Sequence, residues 1–386
     1  MRTVAAEQGY TQPFEKALQK IVGNIPLPLV TTLVCFHPER AGLDRKEILK
    51  KTEHIHKEYL KKEKEGKPVK TFQGKVAVIG SGPAGLTVAS ELCRKGHGVK
   101  IFEALPEPGG MLRKCIPEYR LPKKVLNREV QIIKNLGVEI ETNVTVGEDL
   151  SFNDLWKEGY KAIFIGVGAH KSRKLRIEGV DLEGVIRALD FLWDVNSGKK
   201  MEIGKSVVLI GGGNVAIDAA KTALRLGADE VTILYRRSRE EMPASPWEVK
   251  EAEDEGVKIE FLVGPKRILG EAGKVSAIEC VRMELGELDE TGRRRPIPIE
   301  NSEFKLKTDM VILAIGEAPD LAFLPKEIEL DENGTVWVNP ITMETSLPGV
   351  FSAGDAATGP ATVIEAIRAA KCAAESIENY LKSLGG

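Results

Sequence analysis

The sequence predicts an α/β protein in which two parallel-sheet domains are each built around a glycine-rich turn. Three observations predict it. From Lys75 onward, apolar runs of β composition alternate with helical patterns, the signature of helices layered on a parallel sheet. Two of the apolar runs end in glycine-rich turns, at residues 80–85 and 211–216. After Gly256 short strands take over, before a last strand and a long amphipathic pattern at 361–381.

Composition narrows the class. The 386 residues are 42% hydrophobic, enough for two or three domains with ordinary cores. The formal net charge of -2 gives no reason to expect nucleic acid or a membrane surface as partner. No apolar run approaches the roughly 18 residues a membrane helix needs, and residues 1–8 lack the apolar core of a signal peptide. A soluble cytoplasmic protein is expected. The five cysteines, Cys35, Cys93, Cys115, Cys280 and Cys372, are scattered. They form no disulfide framework, no CxxC pair of a dithiol oxidoreductase and no closely spaced cluster-binding run. A disulfide-reductase reading is therefore disfavoured.

The elements follow in order. Residues 1–55 read as short helices around a Pro-containing stretch at 23–30, and the Lys- and Glu-rich stretch 57–70 reads as a solvated face or linker. A strand opens at Lys75, and the next is expected at 99–103. Beyond the second turn, a helix at 215–227 precedes a strand at 231–235. Short strands are expected at 257–262, 275–283 and 304–306, with a hairpin loop in the turn-rich segment 286–295. Residues 310–316 read as a buried strand, and residues 350–355 as the last one.

Gly80, Gly82 and Gly85 stand in a GxGxxG pattern between a strand and a helix. Gly80 permits the tight turn, Gly82 lets backbone approach a pyrophosphate, and Gly85 lets helix and strand pack closely. Pro83 and Ala84 open the helix, whose N–H groups and dipole attract a diphosphate. Such a site calls for an acidic residue about 20 residues on, at the next strand tip. Glu103 stands there, placed to take both ribose hydroxyls. The glycine pair Gly109 and Gly110, followed by Met111, Leu112 and Arg113, can also run close to a ligand.

Gly211 and Gly213 with Ala216 form GxGxxA, and Asn214 and Val215 open the next helix. An NAD site usually ends the following strand in Asp or Glu. Here Arg236 and Arg237 follow Tyr235. Guanidinium groups attract a 2′-phosphate where a carboxylate repels it, so NADP(H) is favoured over NAD(H). The plain alternative is a solvated basic turn. Two dinucleotide sites in one chain indicate electron movement between two nucleotides.

Residues 80–86, 109–122 and 354–367, together with Glu103, resemble the small (β) subunit of glutamate synthase and its relatives. Those include the large subunit of NADH-dependent ferredoxin:NADP reductase, sulfide dehydrogenase subunits and a segment of dihydropyrimidine dehydrogenase. The likeness runs over about residues 22–382. It implies FAD at the first turn and two Rossmann-like domains, the FAD domain split by an inserted NAD(P) domain. It also implies that Gly354 and Asp355 bind the flavin's ribityl–phosphate side. The helix after Pro360, with Thr362 and Val363, is implied to point its N-terminus at the isoalloxazine. The pattern Tyr-Arg-Arg-x-x-x-x-Met-Pro-Ala at 235–244 recurs at the family's NADP-binding turn. The expected division is 1–70 as a helical extension, 71–200 and 320–386 as the FAD domain, and 201–319 as the NAD(P) domain. The crossing at 314–319 is expected to line the nicotinamide side through Gly316.

The resemblance also marks departures. The family usually carries two 4Fe–4S clusters near its N-terminus; this chain keeps the surrounding residues 24–38 but only Cys35 as a thiol, beside His37. One thiolate cannot hold a cubane that takes about four, so no metal site is expected. Cys115 stands where the family has glycine and is read as packing before redox chemistry; Cys93, Cys280 and Cys372 are read as core. Hydride transfer between the nucleotides needs no side-chain acid, base or nucleophile, and no catalytic side chain is named. Reduced flavin is expected to pass electrons to an iron–sulfur subunit or ferredoxin within a hetero-oligomer. Two alternatives stand beside this: the small subunit of a glutamate synthase feeding a separate large subunit, and a non-catalytic redox-sensing scaffold. Glu103, Asp355 and the two intact turns count against the scaffold.

Overall fold

A computed structural model describes residues 74–289 and 292–384. The expected helical extension, with Cys35 and His37, lies outside the described residues. The described chain forms two compact units: 74–112, 119–169 and 319–384 make the first, 113–118 and 170–318 the second.

The first unit opens with β1 (Lys75–Ile79), α1 (Pro83–Arg94) and β2 (Gly98–Glu103). The short α2 (Met111–Lys114) spans the division between units; α3 (Lys123–Asn135), β3 (Glu139–Thr142), α4 (Phe152–Lys157) and β4 (Ala162–Ile165) follow. The chain returns through β16 (Val350–Ser352), α8 (Asp355–Thr358) and α9 (Val363–Ser383). The sheet order is β16-β4-β1-β2-β3, parallel throughout. Buried on both faces, β1 and β4 read as continuous apolar runs. Ala77 and Ile79 join a core with Phe102, Tyr160, Ile163 and Ile165, while Val78 faces Gly85 of α1. Across α9, Ala366, Ile367, Ala370, Ala373, Ala374, Ile377 and Leu381 form the buried stripe, with the i, i+3, i+4 spacing of a one-sided helix. That stripe packs on α1. Cys372 falls off it and is exposed, which corrects its assignment to the core; Cys93 and Cys280 are buried as expected.

The second unit holds β5 (Lys171–Ser172), β6 (Val185–Arg187), α5 (Ala188–Asn196), β7 (Ser206–Ile210), α6 (Asn214–Arg225) and β8 (Glu230–Tyr235). Next come α7 (Pro246–Asp254), β9 (Lys258–Phe261), β10 (Val263–Glu271), β11 (Lys274–Leu288), β12 (Arg294–Pro298), β13 (Phe304–Lys307), β14 (Met310–Leu313) and β15 (Glu317–Ala318). A parallel sheet runs in the order β6-β14-β7-β8-β9. Besides 113–118, this unit takes in the continuous run from His170, ahead of the expected position 201, because β6 pairs with β14 and α5 packs on α6. An antiparallel sheet, β10-β11-β12 with β13 also on β11, is inserted between β9 and β14. The hairpin between β11 and β12 falls where turn composition places it. β11 is longer than expected, and β10 was not anticipated. The two sheets of this unit share one core, Val208, Ile210 and Leu234 meeting Val263, Ile268, Ile278 and Cys280.

Phe164 on β4 is fully buried. Phe164→Ala is expected to destabilise the first unit by about 3–5 kcal/mol, read as a lowered urea midpoint.

Candidate functional site

The two glycine turns are constructed alike. In the first, the Gly80 N–H donates to the Phe102 carbonyl on β2 (2.8 Å), and Gly166, just after β4, donates to the Ile79 carbonyl (2.8 Å). Gly80 has φ +94°, and a Cβ there would lie 2.6 Å from the Gly166 carbonyl oxygen. In the second, the Gly211 N–H donates to the Leu234 carbonyl on β8 (3.1 Å), and Ala314, just after β14, donates to the Ile210 carbonyl (2.8 Å). Gly211 has φ +142°, and its Cβ would lie 2.0 Å from the Ala314 carbonyl oxygen. Each central strand therefore exits between two neighbours through a gap that admits no side chain.

The middle glycines face open space: no heavy atom lies within 4 Å of a Cβ built on Gly82 or Gly213. These two residues are the N-caps of α1 and α6, and neither helix carries a side-chain cap. Their first turns thus keep backbone donors and the positive end of the helix dipole for an anion. Pro83 at the start of α1 contributes no N–H, which leaves Ala84 as the next donor, whereas Asn214 and Val215 both keep theirs. Gly85 closes the first turn, since a Cβ there would lie 2.0 Å from the Gly80 carbonyl oxygen. Ala216 fills the matching place in the second and is fully buried.

Around the first turn a polar network gathers residues distant in sequence. The Glu103 carboxylate accepts the Ser81 N–H (2.8 Å), the Ser81 hydroxyl and the Leu105 N–H (2.8 Å). The Ser81 hydroxyl in turn accepts the Gly109 N–H (2.9 Å). Gly110 sits directly on the turn, a Cβ there lying 2.8 Å from the Gly82 Cα. Glu103 Oε2 accepts both Ser81 bonds, while Oε1 accepts only the Leu105 N–H and retains a lone pair for a ribose hydroxyl. Ser81 was missed by the sequence reading; as the variable residue of the motif it carries no signal of its own.

Gly354 (φ +69°) approaches the start of α1, a Cβ there lying 3.1 Å from the Ala84 Cβ. It sets Asp355 at the N-terminus of α8. Asp355 accepts the Ala361 N–H (3.2 Å). A half-buried carboxylate that accepts this one long bond suits a hydroxyl-bearing ligand that supplies further donors. Thr362 caps α9 in a capping box with Glu365 (Glu365 N–H to Thr362 hydroxyl 3.3 Å, Thr362 N–H to Glu365 carboxylate 2.9 Å), so its hydroxyl is already committed, and Val363 opens the helix. Met111 and Leu112 fall in the first unit, but Arg113 belongs to the second. There its carbonyl accepts from the Asn196 amide (3.3 Å).

Around the second turn, the Tyr235 ring lies under Gly212, 2.4 Å from where a Cβ would be. The loop after β8 folds back: the Tyr235 hydroxyl donates to the Glu241 carbonyl (2.7 Å), the Ala244 N–H to the Gly212 carbonyl (3.0 Å), and the Ser245 N–H to the Asn214 side chain (3.3 Å). The two arginines divide. Arg236 is exposed, whereas Arg237 is 5% exposed and pairs with Asp289 (2.5 Å). Gly316 (φ +103°) lies by Arg173, whose N–H donates to its carbonyl (2.9 Å). No group of side chains among the described residues could hold a metal ion, and no described helix is long and apolar enough to cross a membrane.

The profile of the pyridine nucleotide-disulphide oxidoreductases matches residues 74–370. The chain belongs to this family. Among curated members it is 49% identical over 311 residues to the NADP(+)-dependent formate dehydrogenase subunit beta of Moorella thermoacetica, covering 80% of this chain and 44% of that one. It is 40% identical to the NADPH-Fe(3+) oxidoreductase subunit beta of Geobacter sulfurreducens, over 96% of this chain and 60% of that one. The chain thus spans about half the length of these two family members. The glutamate synthase (NADPH) small chain of Escherichia coli is 39% identical over 81% of this chain and 70% of its own, which bears out the resemblance read from the sequence. Among solved structures, FprA from Mycobacterium tuberculosis superposes with a TM-score of 0.70 at 22% identity, over 81% of this chain and 85% of that one. The family fold, two nucleotide-binding α/β domains, is the one expected.

Burial raises the Asp355 pKa from 3.8 to about 6, against the weaker lowering by its bond to Ala361. Between these values the folded state holds more protons than the unfolded, so stability falls as pH rises through that window. Asp355→Asn is expected to stabilise the ligand-free protein above about pH 6, the gain vanishing toward pH 3.8. Thermal unfolding of the variant and the wild type across that range checks it.

Proposed function

We propose that the chain is a flavin-dependent NAD(P)H oxidoreductase subunit, with FAD at the first glycine turn and NADP(H) at the second. One observation carries this reading. Two turns of the same construction each open an uncapped helix, and they differ in the group that follows: the Glu103 carboxylate in one unit, the exposed Arg236 guanidinium in the other. A carboxylate suits ribose hydroxyls, and a guanidinium suits a 2′-phosphate.

Gly82, Ala84 and Gly85 cradle the FAD diphosphate, with Gly109 and Gly110 closing over the turn. Glu103 holds the ribose, and Asp355 accepts from the ribityl side. Thr362 and Val363 present the N-terminal end of α9. Gly213, Asn214 and Val215 cradle the second diphosphate, and Arg236 faces the 2′-phosphate. FAD held there would supply acceptance of a hydride from reduced nicotinamide and release of single electrons. The chain's own part is to bind, align and exclude water, and no side chain is assigned a proton to move.

The partner is an iron–sulfur subunit or a ferredoxin, in a hetero-oligomer of a reducing, cytoplasmic compartment. The relatives named as beta subunits and small chains support an electron-transfer role within a complex. The 39% identity over 70% of the E. coli glutamate synthase small chain favours a second reading, that of a small subunit feeding electrons to a separate large subunit.

The purified full chain is expected to carry a flavin absorption spectrum that NADPH bleaches under anaerobic conditions. A colourless protein that takes up no added FAD overturns the proposal. Arg236→Gln is expected to raise KM for NADPH about tenfold, with KM for NADH changing little, in steady-state reduction of an artificial acceptor.

A further inference from the structure

The antiparallel insert of the second unit reaches back to the end of β8. Arg237 is nearly fully buried there. Its Nε–H donates to the Arg294 carbonyl (2.7 Å) and its Nη2 to the Asp289 carboxylate (2.5 Å). Asp289 is itself fixed by the β11–β12 hairpin. Its other carboxylate oxygen accepts the Arg293 N–H (3.2 Å), and its own N–H donates to the Arg293 carbonyl (2.7 Å). Arg237 therefore ties the strand tip to the hairpin, and its committed donors do not reach outward.

The hairpin also brings cations to the same place. The Tyr235 hydroxyl is pushed up by burial, and the charges of Arg237 and Arg293 act against that rise. Glu241 is held low first by the Ser238 side chain and further by the charge of Arg294. Arg294 is exposed, as is Arg236. Burying an ion pair costs desolvation that an apolar contact avoids, and such pairs are best attested where they fix one arrangement against others. Here the arrangement fixed is that of a hairpin bearing arginines beside the nucleotide turn.

We propose that the β11–β12 hairpin is the specificity wall of this site. Asp289 is a positioning residue. With the Arg294 carbonyl it holds Arg237 as a strut, and the strut sets Arg236, Arg293 and Arg294 as the cluster that tells a ribose 2′-phosphate from a 2′-hydroxyl. The inference rests on the NADP(H) reading of the second turn and deepens it.

The test titrates the full chain with adenosine 2′,5′-bisphosphate and with 5′-AMP by calorimetry. The wild type binds the bisphosphate more tightly. Asp289→Ala is expected to weaken the bisphosphate about tenfold and 5′-AMP less than about twofold, and Arg294→Gln to give the same pattern at about threefold. Asp289→Asn keeps the size of the side chain, and its 5′-AMP affinity reports whether the turn is intact. Unchanged affinities in the Asp289 variants overturn the proposal. So does an equal loss for both nucleotides, which marks the hairpin as structural only. Tighter bisphosphate binding overturns it as well, since Arg237 would then be a phosphate ligand that Asp289 restrains. Equal binding of the two nucleotides by the wild type overturns the NADP(H) reading, and the hairpin's role falls with it.

Discussion

Each unit depends on one close approach of backbone to backbone. The first glycine of each turn is pressed between two strands, its N–H bonded to one neighbour and its Cα facing the carbonyl just beyond the other. A side chain has nowhere to go: the Gly166 and Ala314 carbonyl oxygens stand 2.6 and 2.0 Å from where a Cβ would be. Both glycines also take positive φ, where L residues are strained. Once the chain passes this gap, the middle glycine emerges into open space, and the helix that starts there has no side chain capping it. The open, uncapped form that both turns share follows from this single packing constraint.

The polar groups around the first turn convert that geometry into a site. Ser81, in the turn itself, links Glu103 on β2 to the Gly109 loop, so three separate segments are held in one arrangement before any ligand arrives. Asp355 sits near by on α8, raised in pKa by burial and bonded to a backbone N–H. In the free protein it is a costly group. A ligand that supplies further donors would offset that cost.

The second unit solves a different problem. Its turn is closed from below by the Tyr235 ring and from the side by the returning segment that ends at Ser245. Its cations are sorted by the antiparallel insert, which buries Arg237 against Asp289 and leaves Arg236 exposed. Two adjacent arginines of the same chemistry thereby acquire different surroundings. The insert is more than a decoration on the sheet, because Val263, Ile268, Ile278 and Cys280 complete the core over β7 and β8.

The α/β class, both glycine turns, Glu103 at the strand tip, the last strand at 350–355 and the arginine pair are legible in the sequence, whereas the return to the first unit and the place of Gly354 and Asp355 came only from the family resemblance. The features read from the residues rest on local requirements: positive φ, strand alternation, helical spacing, and a charge at a fixed offset from a turn. Tertiary structure alone decided the rest. The main run of the second unit starts at His170 because β6 pairs with β14, a partner more than 100 residues away that no local pattern specifies. Cys372 faces outward because the apolar stripe of α9 is set by contact with α1. Ser81 became the link between Glu103 and Gly109, and Asp289 the partner of Arg237, through long-range hydrogen bonds of ordinary polar residues. Composition assigns such residues to the surface; only the folded chain shows which carboxylate or carbonyl they meet.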